Sequence, residues 1–241
     1  MSSLTVAIPA LNEEKNVSLT IAAVLAAAKA ASLPVEIIVI DDGSTDGTAA
    51  VVEELARGNA GIRLLRNPGN LGLGASIRRA IAEARGERFM VVPGDNDMPA
   101  ATLELIFRHA DAADVVMTYF LNEEIRGRVR YLISEAFRVV YTTLFDLYVV
   151  YLNGPAVYPV AKLRELQLYS TRFSIVAEIN VRLLRQGLSF TELPARRQTV
   201  EGNTSARLRS LAETVRVLLC LLVDVHVRHR DRYSKRPVRV P

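Results

Sequence analysis

The sequence predicts an α/β fold in which a mostly parallel sheet carries helices on both faces. Three observations point there. From Thr5 to Tyr119, short apolar runs alternate with helical stretches of roughly a dozen residues, the pattern of successive βαβ units. A run such as VEIIVI shows no polar alternation and is rich in β-branched residues, as a strand covered on both sides should be. Several runs end in polar, sharply turning sequence, where an open parallel sheet gathers its ligands.

Thr5-Val6-Ala7-Ile8 reads as the first strand, ended by Pro9. Asn12 to Ala31 follows as a helix with Glu13 and Glu14 in its first turn, and Pro34 breaks it. Val35 to Ile40 is the second strand and Asp41-Asp42-Gly43-Ser44 its turn. Asp46-Gly47-Thr48 opens a helix that reaches Arg57. Ile62 to Leu65 is a strand, Asn67-Pro68-Gly69-Asn70 a turn, and Leu73 to Ala84 a helix. Arg88 to Val92 is the next strand, Ala100 to Ala112 a helix, and Asp114 to Tyr119 a strand.

The second half reads differently. Glu124 to Leu152 is predicted largely helical, with Phe137, Tyr141, Phe145 and Tyr148 forming a stripe that faces the core. Val157 to Val160 and Ser189 to Leu193 are short strands on either side of a helix near Ile175 to Gln186. Ser205 to Arg230 is a final amphipathic helix. No internal repeat or low-complexity linker interrupts the chain, so one domain is expected over residues 1–215. Residues 216–241 complete the last helix and add a basic tail rather than a second domain.

The 241 residues are 50% hydrophobic and 23% charged, which fits a globular chain with a sizeable core and excludes a disordered one. Cys220 is the sole cysteine, so no internal disulfide forms. A reducing, cytoplasmic setting and a buried inert thiol are expected. The opening MSSLTVAIPALNEE has no signal-peptide pattern. No apolar run approaches the ~20 residues needed to span a bilayer. The net charge of +4 sits in the tail, where Arg228, Arg230, Arg232, Lys235, Arg236 and Arg239 face only Asp231. Such a tail suits either plain solvation or an anionic membrane surface, and it gives no reason to expect nucleic-acid binding by the fold. His109, His226 and His229 form no metal or triad constellation and read as surface residues.

Chemistry is expected where three polar strand ends meet: Pro9-Ala10-Leu11-Asn12-Glu13, Asp41-Asp42-Gly43-Ser44 and Gly94-Asp95-Asn96-Asp97. Carboxylates crowded at one edge repel one another unless a cation joins them. Asp-x-Asp offers two hard oxygen ligands on one tight turn, and a diphosphate would supply the rest of a magnesium or manganese shell. Asp-Asn-Asp is also a common loop sequence, so its weight comes from its place after an apolar strand.

The segments VAIPALNEEKNV, VEIIVIDDGSTDGT, NPGNLGLGASIRRAI and MVVPGDNDMP, in this order and spacing, resemble the family-two inverting glycosyltransferases. They are most similar to the branch of dolichol-phosphate mannose synthase and bacterial polyprenyl-phosphate glycosyltransferases. The resemblance is dense over residues 4–120 and patchy beyond. It implies a GT-A fold, a Rossmann-like sheet holding a nucleotide-sugar donor over an Asp-x-Asp site for Mg2+ or Mn2+. It implies that Pro9, Leu11, Glu13, Ile40 and Asp42 surround the donor nucleoside. Asp97 would be the principal metal ligand, with Asp95 on ribose or metal and Asn96 between them. Leu11 replaces the family's usual aromatic residue, weakening base stacking, and Gly94 and Met98 also depart from the commoner pattern. Gly69, Gly72 and Gly74 run G-x-x-G-x-G, unlike the dinucleotide fingerprint. They read as the start of a helix packed closely under the donor, and an NAD-dependent enzyme is disfavoured.

Further along, Arg126, Arg130 and Ser134 resemble the basic segment and serine that engage phosphate in the lipid-phosphate branch, a task for which the guanidinium fork is suited. Asn153-Gly154 and FSIVAEINVRLLRQG match the same branch, implying that Glu178 lies on the acceptor side. Thr199 and Ser205 stand where the branch has an arginine and a lysine, leaving Arg196, Arg197 or Arg207 as substitutes. The expected activity is transfer of a hexose from GDP-mannose or a UDP-hexose to polyprenyl phosphate, with inversion. A soluble glycan or small hydroxylated acceptor is the alternative, in which Glu178 would be the general base. A sugar nucleotidyltransferase is a further alternative, although PALNEE stands where its phosphate loop would be. The expected setting is the cytoplasm, or peripherally the cytoplasmic face of a membrane. The long helices leave the oligomeric state open.

Overall fold

The computed structural model describes residues 2–122, 128–198 and 208–241. Eight strands form one sheet in the order β3-β2-β1-β4-β6-β5-β7-β8. They are β1 (Leu4–Ala10), β2 (Val35–Asp41), β3 (Ile62–Arg66), β4 (Arg88–Val91), β5 (Val115–Phe120), β6 (Ala156–Pro159), β7 (Ser189–Ala195) and β8 (Val238–Arg239). Only β6 runs antiparallel to its neighbours, β4 and β5. All other pairings are parallel.

The helices are α1 (Val17–Ala31), α2 (Thr48–Gly58), α3 (Leu73–Glu83), α4 (Ala100–Arg108), α5 (Arg128–Leu144), α6 (Val160–Arg164), α7 (Ile175–Arg185) and α8 (Leu208–Val223), the last continued by a π-helical turn, Asp224–Arg228. The pleat of β1 sends Leu4, Val6 and Ile8 into one core with residues of α1 and α4, and Ala7 into the other with α3, α7 and α8. That division is why β1 and β2 are almost wholly buried and read as unbroken apolar runs.

The chain moves from β1 outward to β2 and β3, then returns to place β4 on the other side of β1. The β1/β4 boundary is therefore a topological switch point, where a crevice opens beyond the carboxyl ends of the strands. Glycines permit close approaches beneath it. A Cβ on Gly72, whose φ is +90°, would sit 2.5 Å from the Thr171 carbonyl oxygen, and one on Gly74 would sit 2.5 Å from that of Ser170. The expected start of a close-packed helix is thus present, with the loop before α7 as its neighbour.

Several boundaries differ from expectation. The first helix begins at Val17, because Asn12 adopts a left-handed φ of 58° and residues 11–16 form a loop. β1 continues through Pro9, where a missing N–H is tolerated, to Ala10. The aromatic stripe is buried at Tyr141 and Phe145, but α5 stops at Leu144, Asp146 turns left-handed, and Tyr148 is 82% exposed. Cys220 is half-buried rather than buried. His226 packs flat against Phe145, with ring centroids 5.9 Å apart. The basic tail folds back: Tyr233 is buried, β8 pairs with β7, Arg236 lies 2.9 Å from Asp146, and Arg239 lies 3.1 Å from Glu192.

Candidate active site

The loops after β1 and β2 are laced together by the polar residues that prevented either from becoming helix or strand. The Asn12 amide donates to Ser44 Oγ (2.9 Å), and the Thr45 amide returns a bond to Asn12 Oδ1 (2.8 Å). The Glu13 amide donates to Thr48 Oγ1 at 2.8 Å, and the Gly47 amide to Glu14 Oε2 at 3.1 Å. With their backbones fixed this way, Leu11 is 39% exposed and Glu13 half-buried at the rim.

The Asp95–Asp97 turn follows β4. Asn96 takes a left-handed φ of 57°, which short polar side chains tolerate, and the Asp97 amide reaches Asp95 Oδ1 at 3.3 Å. Burial holds the Glu13 carboxyl above the usual carboxylate range, an Asn16 bond opposes this, and the charges of Asp95 and Asp46 push it further up. The β1 and β4 loops thus share one negative field at the switch point, as a cation-seeking site does. Among the described residues, no group of three His, Cys, Asp or Glu side chains could hold a metal unaided. Two aspartates on one turn fit a hard divalent ion only if a ligand supplies oxygens too.

Residues 196–198 close one side of this turn. Arg197 Nη1 lies 3.6 Å from Asp97 Oδ2, and its guanidinium stacks 3.7 Å from the Phe120 ring centroid. The Gln198 amide donates to the Asp97 carbonyl at 2.9 Å, and Asn122 clamps the Arg197 backbone from both sides. Of the arginines considered as substitutes for the family's basic pair, Arg196 and Arg197 are described, and Arg197 is placed against Asp97. Thr199, Ser205 and Arg207 lie outside the described residues, as does Arg126. Arg130 is in the first turn of α5, its side chain outside what is described, and Ser134 is half-buried one turn later.

Three expected contacts need correction. Ile40 is wholly buried in the core and cannot wall the crevice with its side chain. Asp42 is buried with both oxygens engaged: Oδ1 accepts from Asn67 Nδ2 (2.7 Å) and the Leu71 amide (3.0 Å), Oδ2 from the Gly72 amide (2.9 Å). It fixes the loop before α3. Glu178 is fully buried; its oxygens accept from the amides of Tyr169 and Ser170 at 2.8–3.1 Å, and Arg182 pairs with it at 3.2 Å. Arg182 also pairs with Asp224 at 3.0 Å. So enclosed, Glu178 has no face open to an acceptor hydroxyl. Nothing in the sequence around Glu178 marked this burial, because the amides of residues 169–170 close over it and Asp224 holds its partner Arg182.

A switch-point crevice gathering acidic turns in a sheet of this order is the architecture of the GT-A fold. Glucosyl-3-phosphoglycerate synthase of Mycobacterium tuberculosis, solved with Mn2+, uridine diphosphate and phosphoglyceric acid, superposes with a TM-score of 0.61 at 20% identity, over 92% of this chain and 78% of that one. The chain belongs to glycosyl transferase family 2, whose sequence profile matches residues 5–157. It is 36% identical over 87 residues to cholesterol galactosyltransferase of Borreliella burgdorferi, across 35% of this chain and 24% of that protein. It is 35% identical over 96 residues to a dolichyl-phosphate beta-glucosyltransferase of Trichomonas vaginalis, across 38% and 28%. The match covers about a quarter of each relative's own length.

Proposed function

We propose that this chain is an inverting hexosyltransferase that moves a hexose from a nucleoside-diphosphate sugar, GDP-mannose or a UDP-hexose, to polyprenyl phosphate. The observation that carries the reading is the meeting of the β1 and β4 loops at the crevice, where the Gly94 amide donates to the Pro9 carbonyl at 3.2 Å and the chain turns through Asp95 and Asp97. Pro9, Leu11 and Glu13 line the nucleoside's side of that crevice, with Asp42 acting through the loop it fixes. Asp97, assisted by Asp95, would hold Mg2+ or Mn2+, which would supply positive charge to stabilise the diphosphate as it departs.

The chain's own residues do the rest. The laced 11–16 and 44–48 loops orient the donor without reorganising, and Arg197 presents a cation beside Asp97 for phosphate oxygens. Arg126, Arg130 and Ser134 receive the acceptor phosphate. That acceptor is already anionic near neutral pH and attacks without a general base, which accords with the enclosure of Glu178. The Trichomonas relative, named for dolichyl phosphate, supports the lipid class. A soluble acceptor is the second reading, favoured by the phosphoglyceric acid in the mycobacterial neighbour. Either way the chain works in the cytoplasm, and with a lipid acceptor peripherally at the membrane's cytoplasmic face.

Nucleotide release from a panel of nucleotide sugars, with Mn2+ or Mg2+ and with or without polyprenyl phosphate, tests the proposal. Lipid should stimulate release strongly, and Asp97→Asn should lower turnover about a hundredfold or more. An Asp97→Asn chain that retains turnover would overturn the site. Stimulation by phosphoglycerate or a glycan, with none by the lipid, would establish the second reading.

A further inference from the structure

Over its described side chains, α8 is apolar on its outer side as well as its inner one. Its inner side, Val217, Leu221 and Val225, is buried in the core. Its outer side carries Val215, Leu219, Val223 and Val227, four residues apart and from 41% to 72% exposed. A helix on a protein surface ordinarily turns charge outward. Here the two acids of the stretch turn inward instead. Glu213 accepts from the Thr171 amide at 2.6 Å, and Asp224 is buried against Arg182. Arg216, which donates to the Tyr169 carbonyl at 3.3 Å, and Arg228, 3.8 Å from Asp224, both stay exposed.

α5 repeats the arrangement. Tyr141 and Phe145 face the core, while Leu132, Val139 and Leu144 are exposed. The ends of the two helices touch: His226 Nε2 lies 2.9 Å from the Leu144 carbonyl oxygen. Ser174 Oγ lies 3.1 Å from Thr214 Oγ1 on α8, and Phe173, next in sequence, is 68% exposed. Most of the exposed large apolar residues of the second half therefore lie on α5, α8 and the turn that continues α8, while Tyr148, Val150, Phe173 and Val238 stand apart.

We infer that the outer faces of α5 and α8 form a docking surface for an anionic lipid bilayer, with the apolar stripes immersed at the headgroup boundary and Arg216 and Arg228 among the headgroups. Charge selects this occupant. The α8 face is apolar and basic with its acids turned inward, so it complements anionic headgroups. A second copy of the same face would instead bring arginines toward arginines. Among the described residues no helix is long and apolar enough to cross a membrane, so the proposed contact is with the bilayer surface. The stripe, and not the basic tail, is the contact: Arg236 and Arg239 are committed to Asp146 and Glu192. The docking itself stands apart from the transfer chemistry; its purpose, presenting the crevice to a lipid acceptor, rests on the reading above.

Flotation of the full chain with phosphatidylglycerol/phosphatidylcholine vesicles, free of polyprenyl phosphate, tests this. Wild type should float with anionic vesicles and much less with pure phosphatidylcholine. Leu219→Glu with Val223→Glu should weaken binding about tenfold or more, with melting temperature and metal-dependent nucleotide release kept. Arg216→Glu with Arg228→Glu should remove the preference for anionic lipid. Wild type that stays in solution, or a double glutamate variant that floats undiminished, would overturn the inference. So would a wild-type dimer in sedimentation that the double glutamate variant converts to monomer, since the face would then join two copies. Because the vesicles lack acceptor, a chain that floats but transfers no sugar to lipid fails the earlier reading alone.

Discussion

Glu13 is held above the ordinary carboxylate range by burial and by Asp95 and Asp46, with Asn16 donating to it at 2.9 Å. A raised acid disfavours its own ionised form, so the protonated chain is the relatively stable one. That advantage is complete below the unfolded value of about 4 and is lost as pH rises through the folded value. Glu13→Gln keeps an acceptor for Asn16 and removes the charge. It should therefore raise stability near neutral pH, by less than about 1 kcal/mol because the group is half-open to water, and the gain should vanish in acid. Thermal melts from about pH 4 to about pH 8 read this. Nucleotide release should fall at the same time, since a side chain that destabilises the fold and aids activity marks a functional site. The placement of Asp95, Asp97 and Glu13 beyond the ends of β4 and β1 was legible in the sequence, because strand ends and turns are local patterns. The enclosure of Asp42 and Glu178 was not: Asp42 depends on Asn67 and the 71–72 amides, and Glu178 on the 169–170 amides and an arginine that Asp224 and Tyr233 hold in place.

The elements of the first half followed from local sequence, since each strand from β1 to β4 carries its own apolar run and its own turn. Errors of boundary arose where side chains outcompeted backbone: Ser44 and Thr48 draw residues 12 and 13 away from helix. Between elements, the buried Arg182 cluster decides how α7, α8 and the 169–171 loop meet. Burial alone would lower the basicity of Arg182, but Glu178, Tyr233 and Asp224 together hold it above its ordinary value. Its guanidinium also lies 5.1 Å from the Tyr169 ring centroid. Arg182→Met leaves Glu178 and Asp224 buried without their common cation and should cost about 3–5 kcal/mol. Urea unfolding of the variant and the parent measures the loss, and a difference below about 1 kcal/mol would mean that the cluster does not hold these elements together.

At the scale of the molecule, the C-terminal tail was the part least legible from sequence. Its arginines suggested solvation or lipid, yet their partners Asp146 and Glu192 lie in segments separated from it by dozens of residues. Val238 and Arg239 add the eighth strand, and the Val240 amide donates to the Phe190 carbonyl at 2.8 Å. Burial raises Glu192, while the Val150 amide and Arg239 oppose the shift. Removing residues 235–241 deletes the strand and the cation together. The β7 edge then opens to water and Glu192 rises further, so the shortened chain should lose about 1–3 kcal/mol near neutral pH and less in acid. Hydrogen exchange should report the change first at β7, at the Ser189 to Thr191 amides, with β1 and β2 still protected. Flotation with anionic vesicles should persist, because the apolar faces of α5 and α8 remain. A shortened chain as stable as the full one would mean that β8 pairs too weakly to belong to the sheet, and that the tail's charges are free for other partners after all.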